Sequence, residues 1–505
     1  MAGLNIEEPQ QAESDSWLSS IRSVTDGAVL HFGSNIVKNG VAFVLSLILT
    51  NLLGANLYGF YTFARRIVSE VQKFTNLGTD IAITRLISSN LDDRAARNRA
   101  FTMAYATSAV VSVLGAAVLF VAAPVVSAYT LEDPTFTTAL QAFAVAVPFI
   151  SLAKLGINSF RGLERPGYQN ALRITVRLTR LAVISAAVLS GYMLMGAVAG
   201  FALASVFAFV LVTVVVVHRT DLRPTSDISV GELKEFYNYS LPLSGSKAGS
   251  LLYNQVDVFM VGIFLSSTEV GIYSISMLLA GVILLPLSGF NQLFPPVASR
   301  LYSGGDTAML QSVFTTVTRW TITATLFIGS VLVIYRREAL VLFGEEFTAG
   351  TMVLTLFVFG KAVVAFSGPS NDLLMMTDHQ YVVMINHWSF GVLNVVLNYV
   401  LIMEYGFIGA AIATAGINAV LNVLRVLEVW YLEGMTPYST RLWKPITAAV
   451  AAVAVMYGAT VVLSGLVLLV AGSLLGGLVY VGCLLLFGIE QRDKQMLNDY
   501  LSVLD

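Results

Sequence analysis

The sequence predicts an all-α polytopic membrane protein with about fourteen transmembrane helices, arranged as two six-helix lobes in parallel repeat plus two C-terminal helices. Three observations predict it. Of 505 residues, 56% are hydrophobic and 12% charged, with a mean hydropathy of +0.75, which leaves too little charge to solvate a water-facing surface. The apolar stretches approach or exceed the roughly 20 residues that cross a bilayer as a helix. The segments and their connecting loops also recur at an offset of about 213 residues.

The segments fall near 27–53, 57–87, 101–129, 136–160, 168–190, 194–218, 236–264, 270–299, 309–335, 350–375, 380–403, 406–432, 444–464 and 466–488. The first twelve form lobes 26–220 and 221–435, and 436–489 holds an additional pair. A polar tail (1–25) precedes them, and a tail (490–505) with the pattern of an amphipathic helix follows. The repeat is carried by short motifs. Gly196-Ala197 recurs as Gly409-Ala410, Tyr168 as Tyr381, and Tyr58-Gly59-Phe60-Tyr61 as Val270-Gly271-Ile272-Tyr273. A loop ending at Phe136 matches one ending at Phe347, and Thr84-Arg85-Leu86 matches Ser299-Arg300-Leu301. Two like halves in parallel orientation are a transporter architecture, with the substrate between them.

Residues 1–25 carry Glu7, Glu8, Glu13 and Asp15 and lack the basic-then-apolar order of a cleavable signal, so the first span acts as its own insertion signal. Loop charges set the topology. Arg94, Arg97, Arg99, Arg161, Arg165, Arg219, Arg223, Lys234, Arg300, Arg441, Lys444, Arg492 and Lys494 follow even-numbered spans or lie in the C-terminal tail; the opposite side has essentially Arg336 and Arg337. Both termini are therefore expected in the cytoplasm, with the chain in the cell membrane.

Several classes are excluded. Cys483 is the single cysteine and the four histidines (His31, His218, His379, His387) show no metal-site spacing, so neither a disulfide framework nor a metal centre is expected. The phosphate-binding pattern G-x-x-x-x-G-K-[ST] is absent, so the chain itself does not hydrolyse ATP. Connecting loops are too short for an extramembrane catalytic domain. The longest outward loop, 336–349, holds Glu338, Glu345 and Glu346 but cannot enclose a sugar acceptor. The expectation is a non-enzyme without cofactors or nucleic-acid partners.

Charged side chains at membrane depth are expensive and normally face a cavity or a partner. In the first span His31, Asn35, Lys38, Ala42 and Ser46 share one helix face. The second places Arg66, Glu70, Lys73 and Asp80 on one face, with Arg65 about 100° away; Glu70 can pair with Arg66 or Lys73. The fifth carries Arg173, Arg177 and Arg180, the first expected to reach the headgroups. The seventh aligns Lys247, Ser250 and Asn254, with Tyr253 and Asp257 beside them. Arg319 and Lys361 lie roughly 15 Å inside their spans at 1.5 Å per residue. Lys154, Arg425 and Glu428, near inner helix ends, are expected to snorkel.

The sum is a vestibule with excess positive charge, suited to a phosphate or pyrophosphate. Its expected lining is Lys38, Arg65, Arg66, Lys73, Arg177, Arg180, Lys247, Arg319 and Lys361. Glu70, Asp80 and Asp257 are left as ion-pair members or sites for a coupling cation or proton, Asp257 pairing with Lys247 or capping a helix end. The repeat does not extend to these charges: Lys38 falls opposite Ser250 and Lys73 opposite Leu285.

The stretch from Leu52 through Gly54, Ala55, Tyr58 and Gly59 to Tyr61, followed by Leu77-Gly78 and Thr84-Arg85-Leu86, resembles the opening of the polysaccharide-transporter branch of the multidrug/oligosaccharidyl-lipid/polysaccharide exporter superfamily. Further matches are Asp257–Gly262 with Val270–Tyr273, Phe160–Arg165, Leu342–Phe347, and Leu393-Asn394 with Tyr405–Ala413; together they span nearly the whole chain. The resemblance implies fourteen helices, alternating access, and flipping of polyprenyl- or dolichyl-phosphate-linked sugars for surface polysaccharide or protein glycosylation. It also implies cavity arginines and lysines for the lipid-linked phosphate, and a groove for the lipid tail at the final helix pair. Membrane lipid and the glycosyltransferases or oligosaccharyltransferase of the same pathway are the implied partners. Residues 271–299 depart from the family pattern, since they hold no charge. The alternatives are a multidrug or metabolite exporter of the same superfamily, which would lean on Glu70 or Asp257, and a non-transporting scaffold of a glycan-synthesis complex.

Overall fold

The computed structural model describes the backbone of residues 7–254, 256–291 and 294–488, and the side chains of 37, 39–242, 256–291 and 294–488. The expected tail helix at 490–505 lies outside the described residues. The described residues are almost entirely helical, and no strand occurs among them.

In chain order the helices are α1 (Glu7–Thr75), α2 (Thr79–Ser88), α3 (Arg94–Ala128), α4 (Pro134–Val145), α5 (Val147–Gly162), α6 (Pro166–Ala187), α7 (Met193–Arg219), α8 (Val230–Asn254), α9 (Val256–Phe264) and α10 (Ser267–Gly281). They continue as α11 (Leu285–Phe290), α12 (Phe294–Ser303), α13 (Thr307–Ile334), α14 (Arg336–Val341), α15 (Thr351–Phe366), α16 (Ser370–Met376), α17 (Gln380–Glu433), α18 (Trp443–Ala459), α19 (Gly465–Val467) and α20 (Ser473–Leu486). Ten helical stretches among the described residues are long and apolar enough to cross a membrane. Glycine divides the longest: Gly54 breaks α1, Gly191 separates α6 from α7, and Gly406 breaks α17, each at positive φ. Gly54 and Gly191 fall between the spans expected from the sequence and Gly406 at the first residue of the expected 406–432 span, and the architecture is consistent with fourteen crossings.

Helix starts follow from side-chain caps. Asp93 accepts from the Ala95 and Ala96 amides at the head of α3, and Asp133 from Thr135 at α4, where Pro134 supplies a preset φ. Two S-x-x-E sequences form reciprocal capping boxes. Ser229 with Glu232 opens α8, and Ser266 with Glu269 opens α10.

The chain divides into two compact units. One comprises 40–275 and 391–410, and the other 1–39, 276–390 and 411–505. This division cuts across the expected lobes, because residues 221–275 and 391–410 group with most of the first half and residues 26–39 with most of the second. In the 40–275 unit, a core of Ile83, Phe101, Phe160, Val212 and Phe236 joins α2, α3, α5, α7 and α8. Phe136 packs against Phe60 and Phe63 with ring centroids 5.8 and 5.7 Å apart.

The repeated tetrapeptides meet inside this unit. A β-carbon on Gly59 would overlap the Ser267 carbonyl, and one on Gly271 would overlap the Ala55 carbonyl. The second arm of α1 and α10 therefore cross backbone against backbone, a distance only glycine allows. Ser267 Oγ donates to Asn56 Oδ1 at the same crossing.

In the other unit, Phe294, Phe314, Val317, Leu374 and Val429 form one core. A second core ties the final helix pair to α13. Tyr480 Oη donates to the Thr323 carbonyl at 2.7 Å, Tyr335 Oη to that of Met456 at 2.9 Å, and Phe327 stacks on Tyr480. Burying two phenol hydroxyls on main-chain carbonyls satisfies them without charge.

Candidate functional site

Within the 40–275 unit the second arm of α1 carries Arg65, Arg66, Glu70 and Lys73. Of the two partners that spacing offers Glu70, Lys73 takes it: Lys73 Nζ lies 2.6 Å from Glu70 Oε1, and the carboxylate is buried. Arg66 lies within electrostatic range of Asp257, Glu70, Tyr273 and Arg65. Asp257 is buried at 2% exposure; Tyr273 Oη donates to its Oδ2 at 2.9 Å, and the Val258 amide to its Oδ1 at 2.8 Å. Tyr273 belongs to the repeated motif of α10, so a residue of the scaffold repeat holds a charge the repeat does not share.

Arg180 on α6 lies with its guanidinium 4.6 Å above the Phe201 ring, within electrostatic range of Tyr61, Arg65 and Arg177. The Phe201 contact lets a guanidinium remain inside the protein without a carboxylate. Five cations (Arg65, Arg66, Lys73, Arg177, Arg180) thus share one unit, and among the described residues Glu70 and Asp257 are carboxylates that act on this group. That imbalance attracts an anion.

The remaining expected site residues are placed as follows. Arg319 on α13 and Lys361 on α15 belong to the other unit, half-buried and each engaged by a neighbour. The side chains of Lys38 and Lys247 lie outside the described residues, which also leaves open the expected pairing of Asp257 with Lys247. Asp80 is an ion-pair member: Lys154 Nζ lies 2.7 Å from its Oδ2, and Asn158 Nδ2 donates to its carbonyl.

Three expectations of snorkelling are corrected. Lys154 points to Asp80. Arg425 is buried, donating from Nη2 to His387 Nε2 at 2.9 Å and from Nη1 to Asn422 Oδ1 at 3.3 Å. Glu428 accepts from the Asn386 amide at both oxygens, 2.9 and 2.8 Å. In each case a polar group meets the charge inside the protein, from α2 for Lys154 and from the opposite arm of α17 for Arg425 and Glu428, so the side chain need not reach the headgroups. The signal for the last two was present in His387 and Asn386, polar residues in an apolar span.

Lys154→Ala is expected to destabilise the protein by about 1–2 kcal/mol, because it strands a buried carboxylate whose partner is partly exposed. Asp80→Asn in the same background should recover part of the loss; a double-mutant cycle on thermal unfolding in detergent checks it, and additive losses would contradict the pairing.

The chain is similar to known proteins over most of its length. A family model described as polysaccharide biosynthesis protein matches residues 24–301, more than half of the chain, and one described as MatE matches 242–400. The chain is 25% identical over 366 residues to the probable low-salt glycan biosynthesis flippase Agl15 of Haloferax volcanii, covering 68% of this chain and 72% of that protein. It is 24% identical over 398 residues to the probable flippase AglR of the same organism, covering 77% and 79%. The fold resembles lipid II flippase MurJ in an inward closed conformation, with a TM-score of 0.74, 14% identity, and 91% and 98% of the two chains covered. It also resembles a MOP superfamily transporter from Pyrococcus furiosus, with a TM-score of 0.57, 13% identity, and 81% and 95% covered. A duplicated helical chain with a cluster of cations in one unit and these matches belongs to the polysaccharide biosynthesis protein family, within the multidrug/oligosaccharidyl-lipid/polysaccharide exporter superfamily.

Proposed function

We propose that the protein flips polyprenyl- or dolichyl-phosphate-linked glycans across the cell membrane by alternating access of two six-helix lobes, without altering them covalently. The observation that carries this reading is the excess of cations over carboxylates around Arg66 and Arg180, which suits a lipid-linked phosphate. The relatives bear flippase names. The glycan head enters the charged interior while the prenyl tail stays in lipid. Both termini face the cytoplasm, where glycosyltransferases load the carrier; the product feeds surface polysaccharide or protein N-glycosylation. Lys38, Lys247, Arg319 and Lys361 are further candidates for contact with the phosphate.

The drug-exporter alternative draws on the MatE match. It needs a carboxylate open to an organic cation, whereas Glu70 is paired with Lys73 and Asp257 is buried, accepting from the Tyr273 hydroxyl and the Val258 amide. Purified protein in liposomes, given a fluorescent polyprenyl-phosphate-linked sugar and a membrane-impermeant quencher, should expose inner-leaflet label far faster than protein-free vesicles. Equal rates would overturn the proposal.

A further inference from the structure

Where α2 ends and α3 and α8 begin, the 40–275 unit holds a pocket of about 680 Å³, apart from the Arg66 and Arg180 cluster in its lining residues. That volume is in the range of small-ligand sites, roughly 300–1,000 Å³. Phe236, Ala100 and Met103 are buried and supply an apolar lining. The polar groups fall into two sets. Asp93, Arg99 and Glu232 are committed to structure: Asp93 caps α3, and Glu232 caps α8 while meeting Arg99 Nε at 2.7 Å. The Ala96 and Ala95 amides hold the Asp93 carboxyl below the usual carboxylate range, and the Ser229 amide and hydroxyl do the same for Glu232, so both stay anionic.

The second set has no such duty. Arg85 lies with its guanidinium carbon 4.2 Å from the centre of the Tyr239 ring, a contact that consumes none of its N–H donors. Glu235, Asn238 and Tyr239 line the same pocket, the first two exposed to an incoming ligand and none of the three engaged in helix capping. The pocket thus presents a donor fork, a carboxylate, an amide and a phenol beside apolar side chains. A phosphate would face Glu235, Glu232 and Asp93, and an organic cation would face Arg85 and Arg99. Vicinal hydroxyls suit this surface, because each can both donate and accept, and a pyranose ring also carries C–H faces for the apolar side chains.

We propose that this pocket is a carbohydrate-binding site, which takes one or a few uncharged pyranose rings of the glycan head at the membrane edge. The identification of the glycan as part of a lipid-linked substrate rests on the flippase reading; the chemistry of the pocket does not. Arg85 and Asn238 reach the ring hydroxyls as donors and Glu235 as an acceptor, and Arg85 is held in place by Tyr239. Sugar recognition is then carried by residues other than the Arg66 and Arg180 cluster.

The test uses full-length protein in detergent with two soluble probes, a neutral disaccharide series (maltose, cellobiose, N,N′-diacetylchitobiose) and inorganic pyrophosphate. Binding is read by saturation-transfer NMR, and flipping is measured in parallel in liposomes. At least one disaccharide should bind, Glu235→Gln and Asn238→Ala should each weaken it about tenfold or more, and pyrophosphate binding should be unchanged. Retained thermal stability separates lost contacts from misfolding, and two chemically different variants guard against failure of one. Disaccharide binding that is absent, or indifferent to both variants, overturns the pocket even if wild-type protein flips its lipid. Disaccharide binding sensitive to both variants in a protein that flips no lipid-linked sugar supports the pocket and overturns the flippase reading. Pyrophosphate lost together with disaccharide in both variants would make the pocket an anion site and overturn the proposal.

Discussion

Replacing Arg66 and Arg180 together by alanine should lower the rate of lipid-linked sugar flipping on the order of a hundredfold or more. Each guanidinium offers a charge-assisted hydrogen bond worth about 1.5–3 kcal/mol, and about 1.4 kcal/mol is a factor of ten. Arg180 is the cleaner of the two, since its described neighbours are the Phe201 face and the charges of Arg65 and Arg177 rather than a carboxylate. Arg180→Lys should recover only part of the rate, because an ammonium is a point donor and cannot give a planar phosphate fork. Arg66→Ala also removes a cation from the range of buried Asp257, so part of its effect is structural. Adding Asp257→Asn separates the two: stability returns while flipping does not. The measurement is the initial rate of quenching in liposomes at equal protein insertion. A double variant within twofold of wild type would remove these arginines from the site.

Gly59→Leu or Gly271→Leu should leave little folded protein, and even alanine at either position should cost about 3 kcal/mol, the upper end for overpacking. A β-carbon at Gly59 meets the Ser267 carbonyl and one at Gly271 the Ala55 carbonyl, so the obstacle is main chain and no rotamer change relieves it. The two helices would have to separate, breaking the Asn56–Ser267 hydrogen bond as well. Gly40→Ala is the control, since nothing lies within 4 Å of its added carbon. It should be neutral or slightly stabilising through helix propensity. Thermal unfolding in detergent distinguishes the three; equal midpoints would contradict the close crossing.

The sequence made the helices legible because the bilayer fixes their length, and it made the chain reversals at Gly54, Gly191 and Gly406 legible because an apolar run longer than one span must turn. It also brought Arg66, Glu70 and Lys73 onto one face, since periodicity reports what a single helix presents. Contacts between helices were beyond it. Lys154 reaches Asp80 across 74 positions and Arg425 reaches His387 across 38, and helical periodicity does not say which neighbour a face will meet. The pocket at Arg85 and Tyr239 was hidden for the same reason, because its residues come from helices separated by long stretches of chain. The capping boxes at Ser229 and Ser266 were readable as S-x-x-E, and they place the first turns of α8 and α10.

The glycine crossing bears on how such a chain could arise. With an offset of 212, Gly59 corresponds to Gly271 and Ala55 to Ser267, so the approach of Gly59 to Ser267 and that of Gly271 to Ala55 are one contact made twice with the partners exchanged. Reciprocity of that kind is the mark of a self-complementary dimer interface. A half-length ancestor could therefore have paired with an identical copy through this patch before fusion joined the copies into one polypeptide. Fusion freed each half to change alone, and a charge such as Asp257, held by Tyr273, could then be gained on one side without being forced on the other.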